Sequence, residues 1–253
     1  MRRLDRRRFL RTALGAVVAY AASCLAAPLA RAQRFFRAPP WKIRTPYWGF
    51  AVDITKCIGC GKCVDACKTE NDVPREPFYF RTWVERYAIR KSGEVTVDSP
   101  NGGLDGFEPM RDEDSIVKAF FVPKLCNLCE NSPCIQVCPV GATFKTEDGV
   151  VLIDRKYCIG CRYCIQACPY GTRYYHPTLK VADKCSLCYH RIKRGLNPAC
   201  VEVCPTDARI FGDLSDPRSP LSRFIAENPV QVLKPAMGTQ PKLAYKGLDR
   251  EVR

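Results

Sequence analysis

Apolar residues along this 253-residue chain fall in short runs between polar and cysteine-rich stretches. Phe50-Ala51-Val52-Asp53 and Val151-Leu152-Ile153-Asp154 each read as a short strand closed by an acid. Ala142-Thr143-Phe144-Lys145 and Val150-Val151-Leu152-Ile153 flank Thr146-Glu147-Asp148-Gly149, the pattern of a hairpin. The 58 residues from 68 to 125 show no comparable tight turn. They carry Pro74, Pro77, Trp83, Tyr87 and an Asn101-Gly102-Gly103 turn, and read as a long insertion that either docks a partner or caps its own domain. Residues 213–253 give few helix or strand signals and contain Pro229, Pro235 and Pro241, so they are expected as an extended tail that wraps a partner or lies on its own domain. Beyond residue 32 no apolar run approaches the roughly 20 residues that a membrane span needs.

Residues 1–32 have a different texture. Arg6-Arg7-Arg8-Phe9-Leu10-Arg11 matches the twin-arginine export motif: paired Arg, any residue, two apolar residues and a base. A mildly apolar stretch from Thr12 to Leu29 follows, then Ala30-Arg31-Ala32, a small-x-small cleavage site. The expected product begins at Gln33 in the periplasm, peripheral to the cytoplasmic membrane. A basic tail or an N-terminal anchor is the plainer alternative. Cys24 lies in the apolar region and is lost on cleavage; a lipoprotein site there lacks the usual Leu three residues earlier. The twin-arginine route carries folded proteins, so metal can be inserted before export.

The net charge of +14 would suit nucleic acid or an acidic membrane surface. Of this, +6 belongs to residues 1–32 and +8 to the rest. No basic run interleaved with aromatics supports nucleic-acid binding.

Cysteine changes the picture most. There are 17, and all but Cys24 fall into four groups of four. Group one is Cys57, Cys60, Cys63 and Cys67; group two is Cys126, Cys129, Cys134 and Cys138. Group three is Cys158, Cys161, Cys164 and Cys168; group four is Cys185, Cys188, Cys200 and Cys204. Groups one and three have the bacterial ferredoxin spacing C-x2-C-x2-C-x3-C, in which three thiolates wrap one [4Fe–4S] cubane and the fourth ligates the other cluster of a pair. Groups two and four lengthen the middle gap. Gly59 and Gly160 permit a backbone that turns N–H groups toward sulfur. Pro139, Pro169 and Pro205 follow three of the last cysteines, and Lys68 takes that place in group one. Zinc sites would leave a middle cysteine over in groups one and three. Disulfides suit an exported chain, but three cysteines within seven residues are poorly placed to pair. Four [4Fe–4S] clusters are therefore expected. Each carries about −2 with its thiolates, which offsets the basic excess of the exported chain.

Groups one and three share a strand-Asp lead-in and Cys-Ile-Gly-Cys; groups two and four share a preceding Lys and a Cys-Pro-x-x-Ala ending at Ala142 and Ala208. Each ferredoxin-like half should combine one regular and one lengthened group. Sequential pairing joins one with two and three with four; nested pairing joins two with three and one with four. The hairpin between groups two and three favours nesting. Its ligand sets are Cys57, Cys60, Cys63 and Cys204 (set one) and Cys185, Cys188, Cys200 and Cys67 (set two). Set three is Cys126, Cys129, Cys134 and Cys168, and set four is Cys158, Cys161, Cys164 and Cys138. The fold class is α+β: two bacterial dicluster ferredoxin-like halves related by pseudo-symmetry, with long loops and the extended tail. The outer half is 33–67 plus 180–212, the inner half 126–179.

Cys57-Ile58-Gly59-Cys60, Cys134-Ile135-Gln136-Val137-Cys138-Pro139-Val140-Gly141-Ala142-Thr143, Cys158-Ile159-Gly160-Cys161-Arg162-Tyr163-Cys164 and Cys200-Val201-Glu202-Val203-Cys204-Pro205 carry a family resemblance. The stretch Glu227 to Pro235 adds to it. The chain after residue 32 resembles the four-cluster iron–sulfur subunits that serve molybdopterin oxidoreductases and related membrane complexes. Within that family it is similar to subunits of the tetrathionate, polysulfide, thiosulfate and nitrite-reduction systems. It is also similar to the periplasmic subunit of the sulfite-reductase-associated (Dsr) transmembrane complex, toward which 79–87 and 99–103 lean. The resemblance implies nested pairing and electron transfer along a chain of clusters. It also implies a multi-span quinone-reactive membrane subunit as neighbour, and a molybdopterin catalytic subunit, a cytochrome, or both.

Lys56, Lys124, Lys156 and Lys184 precede the four groups; they either raise cluster potentials or form a solvated face, the reading given more weight. His176 and His190, the only histidines, read as structural or surface residues. A free periplasmic carrier is the alternative to a complex subunit. An enzyme in its own right is disfavoured, since no nucleophile–base pair or nucleotide-binding Gly motif is present.

Overall fold

The computed structural model describes residues 45–76 and 78–252. The export motif, the cleavage site, Cys24 and Pro77 lie outside the described residues. Strand β1 (Trp48–Asp53) is the apolar run before group one, and its Phe50, Ala51 and Val52 are fully buried. Strands β2 (Thr82–Arg90), β3 (Val95–Asp98) and β4 (Ile116–Leu125) lie in the 68–125 segment. Four short strands follow: β5 (Thr143–Lys145), β6 (Val151–Ile153), β7 (Arg173–Tyr175) and β8 (Ala182–Lys184). The last three are β9 (Arg209–Asp213), β10 (Val230–Gln231) and β11 (Leu243–Lys246). The helices are α1 (Lys62–Asn71), α2 (Pro133–Gln136), α3 (Tyr163–Gln166), α4 (Tyr189–Ile192), α5 (Ala199–Glu202) and α6 (Pro220–Glu227). Among the described residues no helix is long and apolar enough to cross a membrane.

A four-stranded sheet has the order β10-β11-β1-β9. β9 runs antiparallel to β1, setting Val52 opposite Arg209, so the segment after group four pairs with the segment before group one. The expected hairpin at 142–153 forms: β5 pairs β6, with Thr143 opposite Ile153. β7 pairs β8 in the same way.

Two expectations need correction. The segment 213–253 is not simply extended. Ser219 caps α6 by accepting from the Ser222 N–H, and Pro220 occupies its first turn, where a missing N–H costs nothing. Leu221 then buries completely; a Cβ on Gly49 or Gly212 would strike its side chain. Further on, the N–H groups of Glu130, Asn131 and Lys242 donate to Gln240, Thr239 and Asn127 carbonyls at 2.9, 3.0 and 2.9 Å, strapping the tail across group two. The tail then enters the sheet as β11, parallel to β1, with Leu243 opposite Phe50. This parallel partner lies far away in sequence, which is why local signals did not show it.

The insertion does contain a tight turn. β2 and β3 close through Lys91-Ser92-Gly93-Glu94, with Gly93 at φ +83° and its N–H donating to Arg90 at 2.9 Å. β2 also pairs β4, making a three-stranded sheet whose Val84, Tyr87, Val122 and Leu125 enter the main core.

Leu221→Ala should cost about 2–5 kcal/mol, because a fully buried side chain leaves a cavity between α6 and the sheet. Anaerobic guanidinium unfolding reads this; a loss under about 1 kcal/mol would mean the helix does not anchor the sheet.

Candidate metal centres

All sixteen described cysteines are free thiols. Three cavities gather twelve of them. Cys57, Cys60, Cys63 and Cys204 line one. Cys67, Cys185, Cys188 and Cys200 line a second. Cys126, Cys129, Cys134 and Cys168 line a third. Each cavity mixes cysteines from two groups, one with four or two with three. The remaining four, Cys138, Cys158, Cys161 and Cys164, sit around α2 and α3, which pack on each other. Among the described residues no three Cys, His, Asp or Glu converge closely enough to hold a single ion. Four cysteines from two groups lining one cavity, with no three set to grip one ion, fit a multi-iron group.

The roof over the first two cavities comes from the insertion. Val84 and Pro123 line the first; Thr82 and Leu125 line the second. The 68–125 sheet thus caps the molecule's own sites.

A shared local geometry builds each loop. The residue two after the first cysteine is left-handed in every group: Gly59 at φ +71°, Leu128 at +47°, Gly160 at +69° and Leu187 at +57°. That twist turns the N–H of Gly59, Leu128 and Leu187 back onto Cys57, Cys126 and Cys185, the last at 3.4 Å. The glycines are required twice over, since a Cβ at Gly59 would meet the Phe121 ring and one at Gly160 the Lys180 carbonyl. Leu128 and Leu187 adopt the same conformation at a cost of about 1–2 kcal/mol. Both are buried, which contributes about 1.5–3 kcal/mol each, so burial matches or outweighs strain.

The Cys-Pro-x-x-Ala endings also have a physical role. Burial pushes the Cys138 thiol up, but the N–H groups of Thr143, Val140 and Ala142 more than reverse this. Cys204 behaves alike: burial opposes the anion, and the Thr206 and Ala208 N–H groups favour it. At several other cysteines burial dominates. It raises Cys57, Cys129 and Cys185 to about 11 and Cys200 to about 12, and holds Cys67 well above its ordinary value. Such thiols keep their protons until a metal displaces them.

Each cavity has one buried arginine in its wall: Arg209 in the first, Arg81 in the second and Arg173 in the third. Arg173 Nη2 donates to Cys134 Sγ at 2.9 Å. Arg81 grips Asp183 with Nε and Nη2, both at 3.0 Å. Its Nη1 donates to Asn71, whose Nδ2 in turn lies 3.5 Å from Cys188 Sγ. The lysines before the groups divide. Lys56 and Lys156 are exposed, as a solvated face requires. Lys124 and Lys184 are buried, which corrects that reading for both. Lys124 pairs with Glu85 at 2.7 Å, and Lys184 donates to the Val151 and Cys185 carbonyls. Burial pushes Cys126 up, and Lys184, the Leu128 N–H and Arg173 outweigh it. No sequence pattern marked the three arginines; their only sign was a base next to a strand or a Thr.

Lys68, in place of a proline, donates to the Pro74 carbonyl at 2.7 Å and tethers the start of the insertion. His176 accepts N–H groups from Thr178 and Leu179 within its own turn, and His190 contacts Glu70 at 2.6 Å.

Two families described as 4Fe-4S dicluster domains match residues 56–142 and 117–214. A tetrathionate reductase subunit of Salmonella typhimurium is 41% identical over 204 residues, spanning 80% of this chain and 73% of the relative. This chain therefore belongs to the dicluster [4Fe–4S] iron–sulfur subunits. It carries four [4Fe–4S] clusters, for which sixteen cysteines suffice. Another member of this iron–sulfur subunit family, a tetrathionate reductase subunit of Archaeoglobus fulgidus, is 45% identical over 82% of this chain and 86% of its own length. A polysulfide reductase polypeptide of Wolinella succinogenes is 39% identical over 78% and 92%.

In this iron–sulfur subunit Leu187→Gly should be less destabilised than Leu187→Ala by about 1 kcal/mol, because glycine relieves the left-handed strain. This inverts the usual order of the two residues. Paired anaerobic unfolding curves read it; Ala equal to or better than Gly would mean the loop does not hold Leu187 under strain.

Proposed function

We propose that this chain is the electron-transfer subunit of an exported, membrane-associated respiratory oxidoreductase complex. It relays electrons between a multi-span quinone-reactive membrane subunit and a molybdopterin catalytic subunit, a cytochrome subunit, or both. The carrying observation is the convergence of cysteines from paired groups on three cavities. We assign the ligand sets accordingly: set one to the first cavity, set two to the second, set three to the third. Cys138, Cys158, Cys161 and Cys164 form set four. Bound clusters supply one-electron redox chemistry over potentials set by hydrogen bonds, charge and burial. The chain's residues hold them rigidly, exclude water and supply charge.

The exposures of the ligands fit a relay. Cys60 and Cys161 are exposed, whereas set two is buried throughout. Sets one and four are thus the openings toward partners, and sets two and three the interior steps. We assign no catalytic site to the chain itself. The names of the relatives, which are parts of tetrathionate and polysulfide reductases, support a place in a reductase complex. The twin-arginine motif and Ala30-Arg31-Ala32 support a periplasmic location, at the membrane only through a partner.

Anaerobically purified protein should contain about sixteen iron and sixteen sulfide per chain, with interacting cubane signals on stepwise reduction. Zinc in place of iron would contradict the reading. Cys67→Ser and Cys200→Ser should perturb the same cluster signal; Cys67→Ser altering the Cys134 cluster would contradict the nested sets.

A further inference from the structure

Among the three cavity arginines, Arg209 is the one with a buried N–H group that nothing in the described protein accepts. Arg81 is neutralised by its two-pronged contact with Asp183. Arg173 gives one N–H to Cys134 and another to the Thr143 hydroxyl. Arg209 has Nη2 on the Thr82 hydroxyl at 2.8 Å, and that hydroxyl is itself committed to the Lys124 carbonyl at 2.7 Å. Its Nη1 is buried and has no partner in the protein. Leaving a buried donor on a cation unmade costs about 1–3 kcal/mol or more, so a folded chain keeps one only where something else accepts from it. Arg209 lines the cavity of set one with Cys57, Cys60, Cys63 and Cys204. Burial works against its charge, and Cys63, Cys200 and Cys57 more than restore it. Cys63 and Cys57 belong to set one, Cys200 to set two. The guanidinium lines the set-one cavity and, through Thr82, touches the wall of the set-two cavity; register holds it there, since β9 pairs Arg209 with Val52 of the central strand.

We infer that Arg209 is a redox-positioning residue: its fixed charge and free N–H favour the reduced form of the set-one cluster strongly and of the set-two cluster less. Adding an electron makes a cluster more negative, and a nearby fixed cation in a dry environment stabilises that extra charge. A hydrogen bond to cluster sulfur acts in the same direction. Arg81 does the same for set two only weakly, because Asp183 grips it with both carboxylate oxygens and offsets its charge. The two adjacent clusters are thereby set apart in electron affinity by one side chain. The inference rests on the ligand sets proposed above.

The test is an EPR-monitored redox titration of the full holoprotein and of Arg209→Gln, Arg209→Met and Arg209→Lys, each with iron and sulfide counted first. In a neutral variant that retains about sixteen iron, one midpoint should fall by about a tenfold loss of electron affinity, ~59 mV for one electron. A second should fall less, and two should stay. Arg209→Lys should recover most of the larger shift. Unchanged midpoints in a fully loaded neutral variant would overturn the inference, as would equal shifts in Lys and Gln. Loss of a cluster from both neutral variants, with Lys fully loaded, would also overturn it, since the charge would then hold the cluster and not tune it. A wild-type protein without sixteen iron would instead refute the four-cluster reading on which the inference stands.

Discussion

Sulfur must lose its proton to bind iron, and half of the described cysteines are buried where water cannot stabilise the anion. That conflict organises the structure. Burial, with neighbouring cysteines adding to it, raises Cys57, Cys185 and Cys200 far above neutral pH. Several kcal/mol separate a buried charge that is matched from one that is not. The fold answers with fixed donors and cations: left-handed turns that aim N–H groups at the first cysteines, N–H nests behind Cys138 and Cys204, and an arginine in each of three cavity walls. Asp183 meets one of these cations, Arg81, while no carboxylate grips Arg173 or Arg209. Cluster insertion and folding are therefore expected to be coupled.

Topology brings distant cysteines together. The β1–β9 pairing sets the strand before group one beside the strand after group four. The tail then ties the halves: it hydrogen-bonds along group two, Thr239 meets the Tyr170 hydroxyl at 2.5 Å, and β11 joins the sheet of β1. The insertion sheet closes the first two cavities from above. None of these contacts is local, and each fixes a cavity wall.

The cysteine grouping, the 142–153 hairpin and the need for Gly59 and Gly160 were legible in the sequence, because spacing and glycine report directly on local geometry. Leu128 and Leu187 were not, since leucine gives no sign of a left-handed backbone; only their equivalence to Gly59 and Gly160 shows it. Lys124 and Lys184 look the same in text as Lys56 and Lys156, and only the strand β4 and the β7–β8 hairpin bury the first two. The tail hid its strand because four residues pair in parallel with a partner almost two hundred positions away. Ser92-Gly93 was a readable turn, masked by the longer Asn101-Gly102-Gly103 signal.

The most direct measurement is anomalous X-ray scattering at the iron edge from crystals of the anaerobic holoprotein. Four iron centres are predicted, each inside one cysteine set, with Cys204 beside Cys63 and Cys67 beside Cys200. Iron that joined Cys67 to group two, or single-ion density in the cavities, would contradict it.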